Sequence, residues 1–134
     1  MRMIFVNLPV KNLEASRTFF SALGFTFNEQ FSDDTAACMV IDDNIFAMLL
    51  TEPKFRDFIT GEISDTAKGT EVITALSATS RAECDDMLAK ALAAGAKPWK
   101  PAIDYGSMYG ISFQDLDGHA WEFMWMDMSA EQAA

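Results

Sequence analysis

The chain has 134 residues, half of them hydrophobic and 12% aromatic, enough for one domain or two half-size modules and too apolar for disorder. Ten Lys and Arg stand against twenty Asp and Glu, a net charge of -10, so phosphate backbones and anionic lipid surfaces would repel it; no nucleic acid or membrane partner is expected. No apolar run approaches the roughly 18 residues of a membrane helix, and Met1-Arg2-Met3 leads straight into a strand-like run, which points to a cytoplasmic protein.

In chain order, Met3 to Val10 alternates around Asn7 and stops at Lys11-Asn12, as a strand does before a helix cap. Asn12 is the expected N-cap of a helix from Leu13 to Leu23, with Ser16, Phe19, Phe20 and Leu23 on one stripe and Gly24 as the stop. Phe25 to Phe27 follows as a short strand. The runs Ala36 to Ile41 and Ile45 to Leu50 flank the turn Asp42-Asp43-Asn44 and read as a hairpin. From Glu52 to Thr70 the chain reads as a linker loop, in which Phe55, Phe58 and Ile59 suggest a helical turn that packs on something.

The order then repeats. A strand from Val72 to Ala78 leads into a helix from Arg81 to Ala94, opened by the capping box Ser80-x-x-Glu83 and closed by Gly95. The helix is expected to bury Cys84, Met87, Leu88, Ala91 and Leu92. A short strand around Trp99 precedes a hairpin of Gly110 to Gln114 and Ala120 to Met126, joined by Asp115-Leu116-Asp117-Gly118. Each half therefore reads β-α-β-β-β, module 1 over about 3–51 and module 2 over about 71–127, with a tail at 128–134. Cys38 and Cys84 lie in an apolar and a helix-like run, where buried thiols are expected rather than a disulfide.

The string FVNLPVKNLEAS with its helix end ALGF, and the later FQDLDGHAWEF, resemble the two hallmark segments of the glyoxalase, bleomycin-resistance and extradiol-dioxygenase (vicinal oxygen chelate) superfamily. The resemblance covers roughly Met3 to Asp127 and is strongest to small single-domain members labelled predicted lactoylglutathione lyases. It implies an α+β fold in which two paired βαβββ modules form a curved mixed sheet around a cleft, with helices on the outer face. It also implies a homodimer, and, in catalytic members, a divalent metal held by four side chains of the sheet. Carried onto this chain, the four positions fall on Phe5, near Met48, near Ile73 and on Glu122. Only Glu122 is a ligand for a hard metal.

His119 is the single histidine. It stands three residues before Glu122, an odd separation that puts the two on opposite faces of a strand, and so reads as structural. Strand parity instead turns Trp121, Phe123 and Trp125 toward the helices and leaves Ala120, Glu122, Met124 and Met126 facing the cleft. On the first strand it leaves Ile4, Val6, Leu8 and Val10 against the helix and Phe5, Asn7 and Pro9 opposite. The Gly- and Tyr-containing segment Asp104 to Gly110 reads either as a mobile lip that lays Tyr105 or Tyr109 over a ligand, or as a loop packed by its own aromatics.

The expected site is therefore Phe5, Asn7, Met48, Ile73, Tyr105, Tyr109 and Met124 as ligand contacts, with Glu122 as the one catalytic candidate, no metal ligands and no cofactor. Its chemistry suits an uncharged or cationic small organic molecule better than a phosphate. The leading expectation is a metal-free binder of the bleomycin-resistance type. The alternatives are an enzyme using Glu122 as general base and a metal-dependent lyase or dioxygenase.

Overall fold

A computed structural model describes residues 1–129; residues 130–134 of the expected tail lie outside the described residues. The chain divides at Asp65/Thr66, inside the expected linker, into two compact units. The fold is α+β, built on one mixed sheet of four strands and one of five.

The first unit runs β1 (Ile4–Val10), α1 (Leu13–Ala22), β2 (Thr26–Asn28), β3 (Ala36–Asp42), β4 (Ile45–Thr51) and α2 (Glu52–Phe58). Its strand order is β1-β4-β3-β2, with β1 parallel to β4 and the other pairs antiparallel. The Asn12 side chain accepts from the Ala15 amide at 3.0 Å and starts α1, satisfying one of the donors a helix start leaves open. Gly24, at a φ of 103°, ends that helix, a conformation that costs glycine least. Ser16, Phe19, Phe20 and Leu23 are all buried, as their spacing predicts. Ile4, expected against the helix, is instead 54% exposed, because it begins the strand beside the turn, its amide bonded to the Asn44 carbonyl. The first part of the expected linker is a regular helix, α2, with proline in its first turn, where no amide partner is needed.

The second unit runs β5 (Ile73–Ser77), α3 (Arg81–Ala93), β6 (Lys97–Pro98), β7 (Ile103–Asp104), β8 (Met108–Gln114) and β9 (Ala120–Met126). The order is β5-β9-β8-β6, with β7 also paired to β8. The single strand expected around Trp99 is thus two strands of two residues with Trp99 to Ala102 between them. Ser80 caps α3 by accepting from the Glu83 amide at 3.0 Å. The Glu83 carboxylate accepts from the Thr79 hydroxyl. Cys84 and Ala91 are buried, Met87 and Leu88 half-buried, and Leu92, expected in the stripe, is exposed. Both cysteines are free and buried, and burial pushes both thiols up from their ordinary value.

Candidate functional site

In the second unit β9 splits its side chains as its parity dictates. Trp121 and Phe123 are buried at 1% and 4% exposure, on the side where α3 packs against β8 and β9. Glu122 lies on the other side, half-buried, with Ala75 of β5 and Ser112 of β8 as its ladder neighbours. Met124 lies next along that face, between Ser77 and Gly110. Gly110 leaves room there, since a Cβ would run into the Met124 sulfur.

Over this face opens a recess of about 200 Å³, whose lining includes Ile73, Trp99, Pro101, Ile103, Ser112 and Glu122. Its outer wall is the stretch between β6 and β7, tied down where the Lys100 amide donates to Ser112 Oγ at 3.3 Å. The Glu122 carboxylate has no hydrogen-bond or ion-pair partner among the described residues. A half-buried carboxylate with mostly apolar walls and no partner among the described residues is free to meet a ligand's donor or cation.

Tyr109 is not on this face. It pairs with Trp125 in the ladder and donates its hydroxyl to Asp85 of α3, and that bond raises its pKa above the ordinary tyrosine value. The Arg81 guanidinium lies 5.0 Å from the Tyr109 ring and 5.2 Å from the Trp125 ring. It grips Asp104 through two bonds of 2.8 and 2.9 Å and the Gly106 carbonyl through one of 2.7 Å. The Asp104–Gly110 segment is thereby fastened to α3, leaving Tyr105 72% exposed at its tip. Of the two readings open for this segment, Tyr109 follows the packed one.

Arg81 and a bond from the Gly106 amide hold the Asp104 carboxyl down at about 2. A lowered carboxyl pKa favours the native state above the unfolded value and loses that contribution as pH falls through about 2. Arg81→Ala is expected to return Asp104 toward about 3.9, read as an NMR titration of its carboxyl carbon. An unmoved titration would mean that the segment's own amides, not the guanidinium, set the charge.

In the first unit Asn7 faces Met48 across the ladder and Phe5 faces Phe46, their rings stacked at 4.9 Å. The Asn7 amide donates to the Phe5 carbonyl at 3.2 Å. Asn7 also lines a groove of about 490 Å³ with Phe55, Phe58 and Ile59, so the helical turn suspected within the linker packs beside an expected site residue. The structure thus brings Phe5, Asn7 and Met48 onto one sheet face and Ile73, Glu122 and Met124 onto another. Trp99, Lys100, Pro101, Ile103, Gly110, Ile111 and Ser112 are the contributors to the recess that sequence reading missed. The one available signal was parity on β8, which puts Ser112 opposite Glu122.

A metal ion, which the resemblance implies for catalytic relatives, does not fit these residues. Among the described residues no group of three His, Cys, Asp or Glu is placed to hold one, and the ladder neighbours of Glu122 are an alanine and a serine. His119 sits in the turn before β9, its amide donating to Asp115 Oδ1 at 3.0 Å.

Residues 2–42 match the model of the bleomycin resistance protein-like N-terminal family. A hypothetical protein from S. aureus superposes with a TM-score of 0.80 at 27% identity, over 92% of this chain and 93% of that one. A glyoxalase/bleomycin resistance protein/dioxygenase family enzyme from Burkholderia phytofirmans gives 0.78 at 15% identity, over 94% and 99%. The fold is that of the glyoxalase/bleomycin resistance superfamily. A lactoylglutathione lyase from Agrobacterium tumefaciens shares this superfamily fold with a TM-score of 0.68 at 13% identity, covering 94% of both chains. No curated protein sequence matches significantly. Identities this low carry the architecture across the superfamily and leave the chemistry to each member's own residues.

Proposed function

We propose that the protein binds a small organic molecule without a metal ion, in the manner of a bleomycin-resistance protein rather than a lyase or dioxygenase. The observation that carries this reading is Glu122: a half-buried carboxylate with no partner among the described residues, set in a mostly apolar recess whose other side chains are poor ligands for a hard metal. Purified protein equilibrated with nickel, zinc or manganese and then dialysed is expected to retain no stoichiometric metal and to show no glyoxalase turnover. Close to one metal per chain, lost in Glu122→Gln, would overturn the reading. The same unpartnered carboxylate favours one second reading, in which Glu122 takes a proton from a bound substrate as general base.

The working form is a homodimer in the cytoplasm. Supporting the dimer, β1 and β5 are edge strands of their sheets, and Ile4, Phe5, Val72 and Ile73 on or beside them are 47 to 60% exposed. Such edges invite pairing and are ordinarily covered. Light scattering at micromolar concentration is expected to give twice the chain mass of 14.8 kDa, and a monomer would remove the dimer from the proposal. No helix among the described residues is long and apolar enough to cross a membrane.

A further inference from the structure

We infer that the recess over Glu122 is a site for a protonated organic amine: one ammonium group on the carboxylate, with an apolar body against Ile73, Trp99 and Ile103. The inference rests on the binding reading above and deepens it by naming the ligand class.

Three observations converge. First, Glu122 offers carboxylate oxygens that no described residue engages, while its ladder neighbour Ser112 has a hydroxyl oxygen that, among the described residues, accepts only the long 3.3 Å bond from the Lys100 amide. An ammonium brings N–H donors and no acceptor, so it matches a carboxylate beside a hydroxyl oxygen; Lys100 also lines the recess but is exposed, so the half-buried charge an organic anion would meet is that of Glu122. Second, a hard divalent cation needs several oxygen or imidazole ligands, which this face lacks. An organic cation needs one counter-charge and apolar surface for its body, and Ile73, Pro101, Ile103 and the Trp99 indole line the same recess. Third, about 200 Å³ is below the roughly 300–1,000 Å³ of sites for drug-sized ligands, so the group held is small. The chain's net charge of -10 steers cations toward it and anions away.

The test uses three probes that share a phenyl ring: 2-phenylethylamine as cation, 2-phenylethanol as neutral compound and 3-phenylpropanoate as anion. Calorimetry gives affinity. The NMR signal of the Trp99 indole N–H gives location, with the Trp121 indole, which donates to the buried Asp115 carboxylate at 2.9 Å, as internal control. The amine is expected to bind most tightly, to shift Trp99 and not Trp121, and to weaken as salt is raised. In Glu122→Gln, the amine is expected to lose about tenfold or more in affinity, with phenylethanol little changed. Loss of the variant's cooperative melting would move the test to Glu122→Asp, in which the shortened carboxylate should weaken the amine and leave its preference over the alcohol.

If alcohol and amine shift Trp99 with equal affinity, if Glu122→Gln leaves the amine unaffected, or if the propanoate binds best, the amine assignment is wrong while the binding reading stands. If none of the three perturbs Trp99 at millimolar concentration, both fail at this recess.

Discussion

Asp115→Asn is expected to destabilise the protein by about 3 kcal/mol, measured by urea unfolding at neutral pH. Asp115 is 4% exposed, and burial pushes its carboxyl up from the ordinary value. Three bonds offset that cost: Oδ1 accepts from the amides of Asp117 and His119 at 2.9 and 3.0 Å, and Oδ2 from the Trp121 indole at 2.9 Å. An amide keeps one acceptor oxygen and turns its NH₂ toward a second group that also needs an acceptor. Whichever way it flips, at least one buried donor is left facing a donor. The loss joins the turn to the core, because Trp121 is buried on the face of β9 opposite Glu122. A change below about 0.5 kcal/mol, the range of an ordinary surface substitution, would show that the three bonds do no more than water would.

Phe20→Ala is expected to cost about 3–5 kcal/mol in the same assay. The ring is 1% exposed, meets Phe19 edge-on at 4.9 Å and lies 6.2 Å from Phe25, so truncation leaves a cavity that two other aromatic rings cannot close without leaving their rotamers. Phe20→Leu should restore much of the loss by refilling the volume. If the alanine variant unfolds within about 1 kcal/mol of the parent, α1 must repack freely on its sheet.

These two positions mark the range of what the sequence makes readable. Phe20 belongs to a helical stripe between a polar cap and a glycine, and period and caps together identify its burial. Asp115 stands in a D-L-D-G run, where acids are ordinarily solvated, and only the tryptophan six residues on hints that the carboxylate has a buried donor to satisfy. The side of β9 that bears Glu122 is legible for the same reason as Phe20, since strand alternation is strict. The recess wall is not. Trp99 to Ala102 has no period, Pro98 precedes it and Pro101 lies within it, and its tie to β8 is the Lys100 backbone amide donating to a serine hydroxyl. Tyr109 was ambiguous because its direction depends on a register set by Trp125 and on Asp85 from a different element. The helix α2 is masked by Pro53 in its own first turn and by the loop with Gly61 and Gly69 that continues it, its aromatic residues being the one sign that it packs.

The paired two-residue strands on β8 have a consequence for how this protein diverges. Lys97 and Pro98 pair with Gln114 and Phe113, and Ile103 and Asp104 pair with Gly110 and Tyr109, so the stretch between them spans Ile111 and Ser112 without joining the ladder. A residue gained or lost between Trp99 and Ala102 leaves every strand register intact and reshapes one wall of the recess, while the floor around Glu122 is fixed by β5, β8 and β9. Ligand preference can therefore drift by loop length alone, at little cost to folding, because long-range pairing is specified elsewhere. Homologues with the same floor and different walls would be expected to recognise different bodies on the same charged head.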